Sequence, residues 1–338
     1  MEYDTRLRLE RLGVFAVGVL SVVMLSFLAA RGLAAYSSAA DLAATGLVDG
    51  GCAVGSAAGT RLLCFDFVWY SVATGVLVGV VGPLIGSYVV HREMALIGET
   101  LAHTAFAGVA FGILFGSTTN WGVPILLAAL VTGIIGAFGV QYLAGRTATH
   151  GDVPIAIVLT GSFAIGTIVI SLGRGFGGVS IDAYLFGQMA AVTQSGAQLM
   201  GVVSVLVVAL VALNYKQFLF ITFDEQAARV ARLNVSAYNT LLILLTAVVV
   251  VGAMQILGII LVTAMLVVPV AAASALADSF REAQYLSILV GELSVLVGIA
   301  AAFSYGLAPG GSIVVVAIAI YLLAVAVSNR DSAVAAGA

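Results

Sequence analysis

SYVVHREMALIGETLAHTAFAGVAFG, Ser87 to Gly112, joins the end of one apolar run to the start of another through a short polar break, His91, Arg92 and Glu93. A helix needs roughly 20 mostly apolar residues to cross the ~30 Å hydrocarbon core of a bilayer. The runs on either side, 66–90 and 94–116, are long enough, so the stretch reads as two spanning helices joined by a tight elbow. Working outward, comparable runs fall at 13–33, 122–144, 153–172, 197–214, 238–254, 256–277, 284–303 and 311–328. Composition agrees: the 338 residues are 62% hydrophobic and 9% charged, with mean hydropathy +1.17. Soluble domains carry about 25% charged residues. The fold class is therefore all-α, a polytopic membrane protein of about 9–10 transmembrane helices with no room for a second folded domain. Pro83 and Pro269 fall inside runs, where neighbouring groups must satisfy the backbone they free.

Orientation depends on where the cations sit, not on the net charge of −3. With the N-terminus in the cytoplasm, Arg6, Arg8, Arg11, Arg92, Arg146, Lys216, Arg229, Arg232, Arg281 and Arg330 lie inside and only Arg31, Arg61 and Arg174 outside. That asymmetry obeys the positive-inside rule, placing both termini in the cytoplasm of a multi-pass plasma-membrane protein. No basic patch suggests a nucleic-acid partner. Cys52 and Cys64 then face an oxidising compartment and form the candidate disulfide, two unpaired thiols being the alternative. The first run shares the basic start and apolar middle of a signal peptide, but its length favours a retained helix.

The longest polar interruption is NYKQFLFITFDEQAARVARLNVSAYN, Asn214 to Asn239, on the cytoplasmic side. Thr222 followed three residues later by Glu225 matches a capping box. Phe223, Ala227, Val230 and Ala231 then recur at helical spacing, with Arg229 and Arg232 on another face and Asn234 ending the helix. Two acids at its start and weak hydrophobicity favour a protein partner over a helix lying on lipid.

Glu99 and His103, at i and i+4, share one helix face inside the run 94–116. Ionisable groups within a span are costly and face a bundle interior, a partner or a wet path. Carboxylate plus imidazole suits zinc, manganese or ferrous iron, and the absence of nearby thiolates disfavours cuprous copper. The same groups can relay protons in an ion-coupled carrier, or simply tie the bundle together. Two ligands do not complete a metal site; other helices, or a twofold dimer repeating the pair, must supply the rest. Gly108 and Gly112 form GxxxG on the same helix, permitting close approach. Glu292 reads as a buried hydrogen bond within the bundle, a transport role being the alternative, and His91 and His150 as solvated residues. Asp152 with Pro154 reads as the cap and first turn of a helix. No GxxxxGK[ST], HExxH or GxSxG occurs, so no P-loop binds nucleotide and no enzyme of these types is indicated.

These stretches together resemble the permease subunits of zinc and manganese type ABC importers. SYVVHREMALIGETLAHTAFAGVAFG is similar to that family's helix, basic pair and Gly-Asp-x-Leu-x-His signature. FDEQAARVARLNVSAYN followed by VVGAMQILGIILVTAMLVVPVAAASALADSF resembles its cytoplasmic segment and proline-ended hydrophobic hairpin, and IDAYLFGQ and SYGLAPGGSIVVV resemble two further family stretches. The resemblance implies a type II importer-like bundle over residues 65–328. An N-terminal apolar helix with an extracytoplasmic loop (1–64) precedes it, and a short cytoplasmic tail (329–338) follows.

It further implies no catalysis by this chain, a cytoplasmic ATP-binding subunit, an extracytoplasmic metal-binding receptor, a homodimer, and transported Zn2+ or Mn2+ with no permanent cofactor. Glu99 and His103 align with the family's metal-passage positions. Phe223, Asp224, Glu225, Ala228, Arg229 and Leu233 fall in its ATPase-coupling element. Glu99 is one methylene longer than the family's Asp, Leu233 replaces a usual Gly, and Gln188 stands where an acid or Asn is frequent.

Overall fold

The computed structural model describes residues 2–34, 36–57, 59–119, 125–146, 153–172, 187 and 192–336. Among them the regular structure is helical: α1 Glu2–Leu33, α2 Ser38–Ala57, a 3-10 turn Leu62–Cys64, α3 Asp66–His91, α4 Ile97–Thr119, α5 Ile125–Arg146 and α6 Val153–Leu172. Then follow α7 Gln194–Leu213, α8 Tyr215–Phe223, α9 Glu225–Val230, α10 Val235–Leu257, α11 Ile259–Ser274, α12 Phe280–Tyr305 and α13 Pro309–Ala336.

Nine of the described helices are long and apolar enough to span, and each matches a run read from the sequence. The tenth run, 256–277, forms the shorter α11. Its 16 residues reach about 24 Å at 1.5 Å per residue, less than the hydrocarbon core. Gly258, at φ +83, separates α10 from α11 within a single residue, a backbone that side chains with a Cβ rarely adopt. Helix α13 continues past the apolar run to Ala336.

Burial sorts the bundle into layers. Most of α3 and α4 is inside, whereas α1, α6 and α13 lie on the outside. Small residues set the inner spacing, because without them backbones cannot come this close. A Cβ on Gly108 would lie 2.7 Å from the Ala128 carbonyl of α5, so the GxxxG face packs directly on that helix. Gly291 of α12 sits over α3 in the same way, where a Cβ would be 2.6 Å from the Gly79 carbonyl and 2.8 Å from Pro83 Cγ. Gly79 is four residues before Pro83, so its carbonyl is the one left without an intrahelical N–H. Helix α12 covers that gap in the ladder.

The two ends of the bundle differ. At one end Cys52 of α2 and Cys64 are disulfide-bonded, with Cα atoms 4.3 Å apart. Nearby, Arg31 pairs with Asp66 at 2.5 Å, and Gln194 donates to the Arg31 carbonyl at 2.9 Å. These contacts fasten α1 and α2 to the starts of α3 and α7. The opposite end carries the α3–α4 elbow, α8 and α9.

Candidate functional site

Glu99 lies in the first turn of α4, and His103 one turn further along the same face, so the pair sits just inside the α8–α9 end of the bundle. Thr100 and Thr104, on the neighbouring face, fix α4 against α6 by donating to the Ile155 carbonyl at 3.3 Å and meeting Ser162 Oγ at 3.1 Å. His103 is held edge-on to Phe163 of α6, with ring centres 5.0 Å apart. Its Nε2 lies 3.8 Å from Glu99 Oε1, too far for a hydrogen bond. The Glu99 side chain is 45% exposed and that of His103 18%.

This geometry departs from what a structural tie requires. The buried His103 Nδ1 has no hydrogen-bond partner among the described residues, and the Glu99 carboxylate is open on one side. One ion bound at about 2.0–2.2 Å by both groups fits such a separation. Among the described residues no group of three or more His, Cys, Asp or Glu could hold a metal. Among the described residues the chain therefore brings these two ligands together without a third.

The second part of the site lies outside the bundle. In place of one helix from Phe223 to Leu233 there are two, α8 and α9, broken at Asp224. Asp224 caps α9 by accepting from Ala227 N at 2.8 Å. The expected cap, Thr222, belongs to the preceding helix and donates to the Phe218 carbonyl at 2.7 Å. An i, i+3 pattern cannot distinguish these acceptors, because both precede the same apolar stretch. Asn234 is likewise a start and not an end: its Oδ1 accepts from Ala237 N at 3.1 Å and caps α10.

The apolar stripe is also inverted. Ala228 is fully buried against Ile221 and Val235, with Leu233 packed on them, whereas Val230 is 85% and Phe223 62% exposed. Arg232, at φ +60, ends α9 in a Schellman motif, with Arg232 N bonded to the Arg229 carbonyl at 3.0 Å and Leu233 N to the Ala228 carbonyl at 3.1 Å. Glu225 and Arg229 pair across one turn at 2.5 Å.

Two single-residue expectations change. His91 is half-buried instead of freely solvated: its ring packs on Phe280 at 5.0 Å, and Nδ1 lies 2.7 Å from the Ser87 carbonyl. Glu292 is 2% exposed with neither oxygen hydrogen-bonded among the described residues, in place of the expected buried hydrogen bond. It faces Gly79 of α3, which offers no side-chain donor. His150, Asp152 and Gln188, and nearly all of the IDAYLFGQ stretch, lie outside the described residues.

A bundle of spanning helices with a half-open ionisable pair near one mouth, and a capped helix pair exposing apolar side chains beyond it, is that of a transport permease. The profile of the ABC 3 transport family matches residues 64–328, and the chain belongs to that family. It is 34% identical over 265 residues to the manganese transport system membrane protein MntC of Listeria monocytogenes, covering 78% of this chain and 91% of that one.

The solved structure of PsaBC from Streptococcus pneumoniae in complex with Fab aligns at TM-score 0.68 and 29% identity, over 77% of this chain and 91% of that chain. An ABC transporter structure in an inward-facing conformation aligns at TM-score 0.63 over 92% of this chain and 98% of its own, a likeness of fold alone at 16% identity. The protein is thus a membrane permease of an ABC importer, whose ATP hydrolysis resides in a separate subunit. The ion-coupled carrier reading of Glu99 and His103 gives way to this one.

Proposed function

We propose that the protein is the permease of a manganese importer, that Glu99 and His103 pass the ion, and that α9 docks on the ATP-binding subunit. The pair carries this reading: a carboxylate and an imidazole 3.8 Å apart, unbonded to each other and partly open. Oxygen and nitrogen donors accept manganese, iron and zinc alike. Similarity to a manganese permease favours Mn2+ among them.

A pair with no third ligand among the described residues supports a homodimer in which the pair is repeated. The exposed Val230 of α9, beside the exposed Phe223 that ends α8, supports α9 as the ATPase contact, with Asp224, Glu225 and Arg229 shaping its start and outer face. The cation distribution supports a cytoplasmic position for α8, α9 and both termini. The disulfide end then faces the extracytoplasmic receptor that delivers the ion. ATP binding favours one helix arrangement and hydrolysis releases it, because a ligand shifts a conformational equilibrium by its differential affinity for the two states.

The test is elemental mass spectrometry of metal-starved cells carrying the intact protein, Glu99→Ala, His103→Ala or an inactive ATP-binding partner. The expected result is an equal fall in cellular manganese in all three. A fall in iron or zinc instead renames the substrate. A fall confined to the ATPase defect removes the pair from the path.

A further inference from the structure

We propose that Arg92 is the positioning residue that transmits movement of α9 to the Glu99–His103 pair; this rests on the reading of α9 as the ATPase contact. Arg92 closes α3, and its side chain is only 10% exposed although it lies at the end of the bundle. Its Nη2 donates to Asn239 Oδ1 of α10 at 2.7 Å and lies 3.8 Å from Glu225 Oε2 in the first turn of α9. One guanidinium thus joins the α3–α4 elbow, α9 and α10. Burial lowers the pKa of Arg92 and the Glu225 carboxylate raises it again, so removing Glu225 leaves a cation in a poorly hydrated place.

The elbow on the other side of Arg92 is stiff. Glu93, at φ +57, and Met94 bond back to the Val90 and Val89 carbonyls, each at 3.0 Å, in a Schellman motif like that at Arg232. Helix α4 begins at Ile97, which donates to the Met94 carbonyl at 3.0 Å, and Glu99 is in its first turn. An aromatic clasp keeps α8 seated beside the same elbow: Phe223 meets His91 at 6.3 Å and Phe280 at 5.5 Å, and Phe218 meets Tyr88 at 5.6 Å. The clasp is built of ring contacts, without a hydrogen bond between the two sides. The Arg92 bond to Asn239 is directional and holds the guanidinium in place, and from there its charge attracts the Glu225 carboxylate of α9 across 3.8 Å, which ties the position of α9 to the elbow. A displacement of α9 therefore reaches the Glu99 carboxylate through two turns of fixed backbone.

The test uses the whole complex, permease with ATP-binding subunit and receptor, in proteoliposomes, with radioactive Mn2+ and ATP as probes and both uptake and hydrolysis measured. Arg92→Ala is expected to leave hydrolysis near the unaltered level while Mn2+ moved per ATP falls about fivefold or more, the scale of a coupling energy between sites. Arg92→Lys keeps the charge but loses the planar fork, and should recover only part of that ratio. If Arg92→Ala does not accumulate, Asn239→Ala tests the same link and should lower the ratio in the same direction. An unchanged ratio in these variants overturns the proposal. So does a parallel loss of hydrolysis and uptake, which would make Arg92 a docking residue. Failure of the unaltered complex to take up Mn2+ strikes the manganese reading itself, and is distinguishable because no variant is needed to see it.

Discussion

At the scale of single residues, the pair and Glu292 pose opposite electrostatic problems. Glu99 is 45% exposed and open to solvent or a partner. Glu99→Asp is expected to keep uptake, with a shifted preference among manganese, iron and zinc, whereas Glu99→Gln should abolish it. Competition among the three ions in cells checks both. Glu292, buried without a hydrogen bond among the described residues, carries a desolvation penalty of about 1–3 kcal/mol for an unsatisfied polar group. Glu292→Met should therefore raise the thermal midpoint of the purified protein. A lower midpoint would mean that the carboxyl finds a partner in the complete assembly. Glu99 and His103 were legible as a pair from their spacing. The lack of a partner for Glu292 among the described residues was not, because it faces a glycine, Gly79, more than two hundred positions away.

At the scale of elements, α9 depends on its two ends. Asp224→Ala removes the side-chain acceptor and should cost about 1 kcal/mol of local stability. Thr222→Ala removes only a bond to the preceding turn and should cost less. Copurification of the ATP-binding subunit is the readout, and a larger loss for Thr222→Ala would reverse the assignment of the cap. Arg232 occupies a left-handed position at a cost of roughly 1 kcal/mol to a residue with a Cβ. Arg232→Gly should therefore stabilise the turn, seen as slower amide exchange in α9. The amphipathic segment was legible; which residues cap it, and which face is buried, was not. Ala228 is inside because Ile221 and Val235, from two other helices, close over it.

For the whole molecule, the disulfide and the pair lie at opposite ends. Replacing both Cys52 and Cys64 by serine should leave Mn2+ uptake intact while lowering stability of the α2 region by about 3 kcal/mol, as for a loop of similar length. Uptake with limited proteolysis measures the two effects separately, and lost uptake at normal abundance would tie α2 to transport. The homodimer reading predicts two permeases and two ATP-binding subunits in the purified complex, measured by light scattering.

Hydrophobic runs by themselves determined that this chain is a helical membrane protein, because a bilayer accepts few other solutions for so apolar a backbone. The i, i+4 spacing of Glu99 and His103 determined that they share a face. Tertiary structure decided what those helices do to one another: the elbow that Arg92 fastens to α9 and α10, the inverted face of α9, and the isolation of Glu292 against Gly79. Each depends on contacts between residues far apart in the chain, whose distances no local pattern encodes.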